Sequence, residues 1–269
     1  MRRRGRANGG LPARGARPRR AVRTCVVTGF GINADDELAA AFELAGSRAQ
    51  KVHIRDLTED PSRLDAFHIL ALPGGFSYGD HLGSGVVFAS LLKRHLRPAL
   101  ERFVRSGKPV IGICNGFQVL VKTGILPNLT GGWQPEVSLT HNENGTFIDR
   151  WVAVAFNPLS PCVWTRGLDA GELPIRHGEG RFVAASETVL QRLLADELVA
   201  VRYHPENPNG SAHGIAGICD PTGRVFGLMP HPEAFLFAEN HPRWMRENIG
   251  EGWGIRILRG GVDCARALG

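Results

Sequence analysis

The chain has 269 residues, 43% of them hydrophobic, which favours one large or two small globular domains. No apolar run approaches the roughly 18 residues that a membrane-spanning helix needs, and no stretch resembles the apolar core of a signal peptide. Its five cysteines are widely spaced without a C-x-x-C pair, which argues against a disulfide framework and a zinc knuckle and favours a cytoplasmic location.

The positive charge is concentrated at the amino terminus. Residues 1–23 contain nine arginines and no acidic residue, whereas the remainder has 23 basic and 26 acidic side chains. The formal net charge therefore changes from +6 for the whole chain to −3 for residues 24–269. A segment so rich in Arg, Gly and Pro has too little apolar surface to fold alone, so we expect a disordered tail before one domain over residues 24–269.

Short strands and helices alternate along the predicted domain. The predicted elements in chain order are a strand at 24–28, a helix at 37–46, strands at 51–54 and 68–72, a helix at 86–104 with Pro98 as a kink or break, and strands at 110–113, 151–156, 198–201 and 224–229. The alternation up to residue 113 predicts an α/β fold with a doubly wound, mostly parallel sheet. The stretch after Asn240 is predicted to form a closing lid or a helix.

A cysteine lies at the corner between a predicted strand and a predicted helix, in the stretch VIGICNGFQVL. Cys114 is flanked by Gly112 and Gly116, and Gly-x-Cys-x-Gly between a strand and a helix has the form of a nucleophile elbow. The tight turn needs small neighbours, and the N-terminus of the following helix favours a thiolate at neutral pH. The glycines disfavour the alternative of a buried packing residue, to which we assign Cys25 and Cys219.

A thiolate nucleophile needs a base, and His231 is the preferred candidate among ten histidines. It lies between two prolines directly after a predicted buried strand, and Glu233 follows to orient its ring. His204, in the similar sequence YHPEN, is a competing base that we interpret as part of a surface loop. No metal-ligand spacing such as H-E-x-x-H occurs, so no metal site is predicted.

A third loop, PGGFSYGD at residues 73–80, is rich in glycine where backbone amides can approach a ligand. Its N–H groups, together with the N–H of Asn115, can stabilise an oxyanion, although Gly-Gly alone also marks a plain turn. The carboxyl ends of parallel strands meet at one edge of a sheet. The three loops together therefore predict an acyl-transfer site.

These motifs resemble the class I glutamine amidotransferases, which have a flavodoxin-like fold and a Cys-His-Glu triad. The loops PGGFSYGD, GICNGFQVL, HGEGRF, NPNGS, IAGICDPTGRVFGLMPHPE and GFGINADDE are similar to those of the glutaminase subunits of phosphoribosylformylglycinamidine synthase, an enzyme of de novo purine synthesis. The resemblance implies that Cys114 attacks the side-chain amide of glutamine and forms a glutamyl thioester. His231 would transfer the protons, with Glu233 holding its ring.

The resemblance also implies roles for residues around the triad. The amides of Gly75 and Asn115 would form the oxyanion hole, while Gln118 and Gly74 would contact bound glutamine. Ammonia would pass to a separate synthetase subunit that uses ATP and Mg²⁺, and a small third subunit accompanies some family members. No cofactor is expected on this chain, which contains no P-loop.

Three positions depart from the family pattern. Ala234 follows Pro-His-Pro-Glu where relatives often carry Arg, and His141 and Thr146 occupy positions where arginines often stand. None belongs to the triad, so the expected effect is on the interface with the partner.

Two alternative functions are distinguishable by experiment. A cysteine hydrolase on the same fold would act on peptides or small carbonyl compounds and would not react with a glutamine-analogue electrophile. A nucleic-acid-binding protein would act through the arginine tail, with salt-sensitive binding that is lost on deleting residues 1–23. Nucleic acid is not an expected partner, because an intact triad disfavours a pure binding role.

Overall fold

A nine-stranded sheet forms the centre of the protein, of which the computed structural model describes residues 21–268. The strands are β1 (Arg23–Thr28), β2 (Arg48–His53), β3 (Ile69–Leu72), β4 (Val110–Ile113), β5 (Val137–Thr140), β6 (Ile148–Phe156), β7 (Ala170–His177), β8 (Arg181–Ala184), β9 (Val199–Tyr203), β10 (Ile215–Cys219) and β11 (Val225–Leu228). Their order across the sheet is β2-β1-β3-β4-β11-β10-β9-β6-β7, and β5 pairs with β8 separately. Residues 1–20 of the predicted tail lie outside the described residues, whereas Val22 is already buried and the first strand begins at Arg23.

One half of this sheet is parallel and has helices on its faces. Strands β2, β1, β3, β4 and β11 pair in parallel, which confirms the predicted doubly wound α/β fold. Every residue of β3, β4 and β11 is buried, as expected for parallel strands covered on both faces. The β4 and β11 strands run side by side with Ile113 opposite Leu228, so the loops that follow them leave the sheet at the same edge.

The helices connect and cover these strands. They are α1 (Asp35–Leu44), α2 (Ile54–Glu59), α3 (Val86–Leu91), α4 (Arg97–Arg105), α5 (Asn115–Thr123), α6 (Glu187–Ala195) and α7 (Trp253–Ala267). The helix predicted over 86–104 is interrupted by a π-helical stretch at Leu92–Leu96, and Pro98 lies in the first turn of α4, where its missing N–H removes no helical bond. Within residues 21–268, none of the helices combines the length and hydropathy needed to cross a membrane.

The other half of the sheet is antiparallel, which the sequence did not predict. Strands β11, β10, β9, β6 and β7 pair in alternating directions. The edge strand β7 was missed because Pro174 interrupts its pattern, and proline is tolerated at a sheet edge where no partner needs its N–H. The carbonyl oxygen of Pro174 accepts a hydrogen bond from the N–H of His231 at 2.8 Å, so β7 is tied to the loop that follows β11.

The segment after Asn240 is only partly helical. Turns, bends and irregular backbone occupy residues 241–252, and α7 begins at Trp253. The His241 side chain is buried, and its Nε2 lies 3.0 Å from a carboxylate oxygen of Glu172 on β7. This segment is therefore packed against the edge strand.

Candidate active site

The loops after β3, β4 and β11 surround a cavity of about 380 Å³. Four of the predicted site residues line it: Gly75, Cys114, Gln118 and His231. The other three, Gly74, Asn115 and Glu233, lie against these four residues. The structure therefore brings all seven predicted residues together. The competing base His204 is instead exposed in the loop after β9.

The corner at Cys114 has the geometry of a nucleophile elbow. Cys114 has φ 51° and ψ −106°, a conformation that L-residues rarely adopt. A side chain at Gly112 would approach the carbonyl oxygen of Gly116 to 2.5 Å, and one at Gly116 would approach the carbonyl oxygen of Leu72 to 2.0 Å. Both glycines are thus required because β3, β4 and α5 meet there without room for a Cβ atom.

His231 and Glu233 form a buried pair beside the cysteine. The Nδ1 atom of His231 lies 2.5 Å from Oε1 of Glu233, and both side chains are less than 5% exposed. Because Glu233 occupies Nδ1, the Nε2 nitrogen is the one left for proton exchange with Cys114. Nε2 is buried and has no hydrogen-bond partner among the described residues.

The surroundings of His231 favour its charged form. Burial alone would lower the pKa of His231, but the carboxylate of Glu233 and the charge on Cys114 outweigh it and raise the pKa to about 10. The adjacent His177 behaves oppositely, since burial and the charge on His231 lower its pKa to about 4. These directions favour an imidazolium at His231, which can stabilise a negative charge on the neighbouring sulfur, and a neutral ring at His177.

Removing the carboxylate of the pair tests this arrangement. In Glu233→Gln, burial of His231 is no longer offset by a buried carboxylate, so its pKa falls and less imidazolium faces Cys114 at neutral pH. We expect alkylation of Cys114 by iodoacetamide at neutral pH to slow by roughly tenfold or more, because the thiolate is the reactive form. Glu239→Gln, at an exposed carboxylate, is the matched control. An unchanged alkylation rate in Glu233→Gln would contradict the assignment.

The glycine-rich loop packs closely on the reacting side chains. A Cβ atom on Gly74 would lie 2.9 Å from Cε1 of His231 and 3.5 Å from Cβ of Cys114. Gly75 has φ +147°, a backbone conformation that favours glycine, and pairs with Ile32 of the loop after β1. The loop is therefore held against both the cysteine and the histidine, as an oxyanion-binding loop requires.

Asn115 and Gln118 form a hydrogen-bonded pair on α5. The Asn115 Nδ2 atom donates to Oε1 of Gln118 at 2.9 Å, and Nε2 of Gln118 donates to the carbonyl oxygen of Glu179 at 2.5 Å. Both the oxygen and the nitrogen of the Gln118 side-chain amide therefore form hydrogen bonds within the protein. Gln118 shapes the wall of the cavity and fixes the turn between β7 and β8.

Several lining residues were not given a role from the sequence. Arg176, His177 and Glu179 come from the end of β7 and the following turn, whereas Glu37 lies on α1. The stretch HGEGRF, which contains this turn, was noted only for its resemblance to the family. Arg176, directly before it, belongs to no motif in the sequence. The three departures lie near this wall or behind it: His141 has its Nδ1 3.8 Å from Glu179, Thr146 is exposed, and Ala234 ends the turn after His231.

Comparison with known proteins identifies the family. Residues 21–263 match the CobB/CobQ-like glutamine amidotransferase domain. The chain is 45% identical over 259 residues to phosphoribosylformylglycinamidine synthase subunit PurQ of Dehalococcoides mccartyi, covering 92% of this chain and 99% of that protein. It is 36% identical over 274 residues to the PurQ subunit of Archaeoglobus fulgidus, covering 93% of this chain and 99% of that protein.

A solved structure is similar to this chain in both fold and sequence. One chain of the structure of PurLQS from Thermotoga maritima superposes with a TM-score of 0.70 and 32% identity, covering 90% of this chain and 98% of that chain. These similarities confirm the resemblance stated from the loops. The protein therefore belongs to the CobB/CobQ-like glutamine amidotransferase family and, within it, to the PurQ branch.

Proposed function

We propose that this glutamine amidotransferase hydrolyses glutamine with Cys114, His231 and Glu233 and supplies the ammonia to phosphoribosylformylglycinamidine synthase in purine synthesis. The observation that carries the proposal is the buried His231–Glu233 pair, 2.5 Å apart, next to a cavity that both His231 and the strained cysteine elbow line. In a family of glutamine amidotransferases, this pair and the elbow supply the base, its orienting carboxylate and the nucleophile.

The first half-reaction releases ammonia. The thiolate of Cys114 attacks the side-chain carbonyl carbon of glutamine, and a sulfur–carbon bond forms as the carbonyl oxygen becomes an oxyanion. The N–H groups of Gly75 and Asn115 are proposed to bind that oxygen. Imidazolium His231 then gives its proton to the departing nitrogen, the carbon–nitrogen bond breaks, and ammonia and a glutamyl thioester result.

The second half-reaction regenerates the thiol centre. Neutral His231 takes a proton from water, whose oxygen attacks the thioester carbon. The sulfur–carbon bond breaks, and the new carboxyl group loses its proton to solvent as glutamate leaves. The proton taken from water stays in the thiolate–imidazolium pair. His231 therefore acts first as an acid and then as a base, and Glu233 on Nδ1 holds the ring with Nε2 towards the substrate in both steps.

The proposed destination of the ammonia is a synthetase subunit. The relatives from Dehalococcoides mccartyi and Archaeoglobus fulgidus are named as subunits of a synthase, and the name PurLQS of the solved relative is consistent with a complex. In the proposal, the synthetase subunit uses ATP and Mg²⁺ to convert formylglycinamide ribonucleotide to the amidine, and a small third subunit completes the complex. No cofactor is proposed on this chain. Among residues 21–268, no group of three or more His, Cys, Asp or Glu side chains is placed to hold a metal ion.

A reconstitution experiment tests the function. This chain is mixed with the synthetase subunit of its organism, ATP, Mg²⁺ and formylglycinamide ribonucleotide, and amidine formation from glutamine is compared with formation from an ammonium salt. We expect glutamine to be used only when this chain is present, whereas ammonium is used with or without it. If only ammonium is used, the proposed function is wrong, and a cysteine hydrolase with another acyl donor takes its place.

A further inference from the structure

A cation lies beside the histidine–glutamate pair. Arg176 projects from the edge strand β7, and one of its terminal nitrogens, Nη2, lies 3.4 Å from Nδ1 of His231 and 3.7 Å from Oε1 of Glu233. Among the described residues that line the cavity, Arg176 is the only lysine or arginine. The guanidinium thus approaches the nitrogen of His231 that faces away from the proposed reaction.

Carboxylates hold the guanidinium in this position. Nη2 is also 3.7 Å from Oε2 of Glu37 on α1, and Asp149 is directly opposite Arg176 in the pairing of β6 with β7 and lines the same cavity. Glu233 is buried, whereas Glu37 is half exposed. Arg176 therefore bridges a buried carboxylate of the proposed triad and a carboxylate that solvent reaches.

The charged and titratable groups around His231 come from several elements. Glu233 follows it in the chain, Cys114 lies at the start of α5, and Arg176 and His177 lie at the end of β7. Tyr203 on β9 is buried, and burial and a charge on Cys114 both raise its pKa. Of these groups, Glu233 and a thiolate at Cys114 favour the imidazolium, and Arg176 opposes it.

Arg176 destabilises the protonated form of the His231 ring through two effects that act in the same direction. Its positive charge repels a second positive charge 3.4 Å away on the ring, and it shares Oε1 of Glu233 with that ring. Both effects make it easier for His231 to lose its proton. Proton loss matters because the departing nitrogen must take the proton in the first half-reaction and the second needs a neutral imidazole, whereas Glu233 favours the charged ring in both.

We propose that Arg176 is a positioning residue that limits the stability of the His231 imidazolium, so that His231 changes from acid to base and the glutamyl thioester is hydrolysed. This inference rests on the proposed glutamine hydrolysis at Cys114. The Cys114 sulfur lies 3.7 Å from the backbone carbonyl oxygen of Arg176, which a substitution retains, and in the proposed reaction the guanidinium does not contact the scissile amide. It acts through His231 and Glu233, and Glu37 holds it from the opposite side.

Substitution of Arg176 tests the inference in the full-length chain. In Arg176→Gln, the NMR titration midpoint of the His231 ring is expected to rise by about half to one pH unit, since a partly exposed charge is partly screened by solvent. The alkaline limb of glutamine hydrolysis is expected to move in the same direction. More glutamyl thioester should be present in the steady state, as measured by acid quenching and mass spectrometry. Arg176→Lys retains the charge and is expected to restore the midpoint and the thioester level.

The outcomes separate this inference from the proposed function. If Arg176→Gln leaves the His231 midpoint and the thioester level unchanged while glutamine is still hydrolysed, the role of Arg176 is wrong and the function stands. If the midpoint rises in Arg176→Gln but no variant, nor the unsubstituted chain, hydrolyses glutamine, the proposed function fails, although Arg176 still controls His231. A fall of the midpoint would show that Arg176 mainly orients Glu233, which would overturn the inference.

Discussion

Cys114→Ala is expected to abolish glutamine-dependent amidine formation while ammonium-dependent formation by the synthetase subunit continues. The substitution removes the sulfur that is proposed to form the thioester and leaves the Cβ atom at the elbow, so the backbone at residue 114, with φ 51°, is disturbed little. Loss of a covalent nucleophile lowers the rate by at least about 10³-fold, because binding and an oxyanion hole alone retain only residual catalysis. The measurement is amidine formation by the reconstituted complex with each nitrogen donor.

Cys264→Ala is the matched control for this loss. Cys264 lies on α7, is only partly buried and does not line the cavity, so its replacement should leave both nitrogen sources usable. If Cys114→Ala stops the ammonium-dependent reaction as well, the proposed assignment of glutamine hydrolysis to this chain and of amidine formation to the synthetase subunit is wrong. If it stops neither reaction, Cys114 is not the nucleophile.

Gly116→Ala is expected to lower the free energy of unfolding by about 3 kcal/mol, because the new Cβ atom has no room. It would lie 2.0 Å from the carbonyl oxygen of Leu72 and 2.6 Å from its carbonyl carbon, both backbone atoms of β3. A backbone atom moves only if β3 or α5 shifts, and a shift of α5 displaces Cys114, the residue directly before it. Urea unfolding followed by fluorescence measures the loss.

Gly132→Ala provides the comparison for the same change of residue. A Cβ atom there meets nothing nearer than Cγ of Gln134 at 3.9 Å, so the change in stability should stay within about 0.5 kcal/mol. Equal stability for the two variants would mean that the contact between α5 and β3 can relax. The close approach would then not explain why glycine follows the elbow.

The part of the site that the sequence predicted is the part fixed by local backbone requirements. Gly112 and Gly116 are needed wherever a strand and a helix meet this closely, and the two prolines around His231 restrict its backbone whatever the rest of the fold does. Local backbone constraints of this kind require glycine or proline at fixed positions, and these residues are visible in the sequence itself. The loops of the parallel half could therefore be placed at one sheet edge before the structure was known.

Arg176 could not be predicted because its role depends on pairing between distant segments. The strand that carries it, β7, contains Pro174 and Gly171, and both residues weaken the pattern of a strand. Its position beside His231 follows from the antiparallel half of the sheet, whose order β10-β9-β6-β7 is not encoded in any short stretch. Arginine is also an ordinary surface residue, so its type alone does not mark Arg176 as part of a site.

The hydrogen bond from His231 to the carbonyl oxygen of Pro174 has a consequence for incomplete chains. Cys114, the proposed nucleophile, is anchored to the parallel half because its N–H donates to the carbonyl oxygen of Leu228. His231, the proposed base, is anchored to the last strand of the antiparallel half. A copy in which β7 has been cut away or has not yet folded lacks one of the two anchors. We therefore expect a chain cleaved in β7 to lose the fixed position of His231 and, with it, the proposed hydrolysis of glutamine.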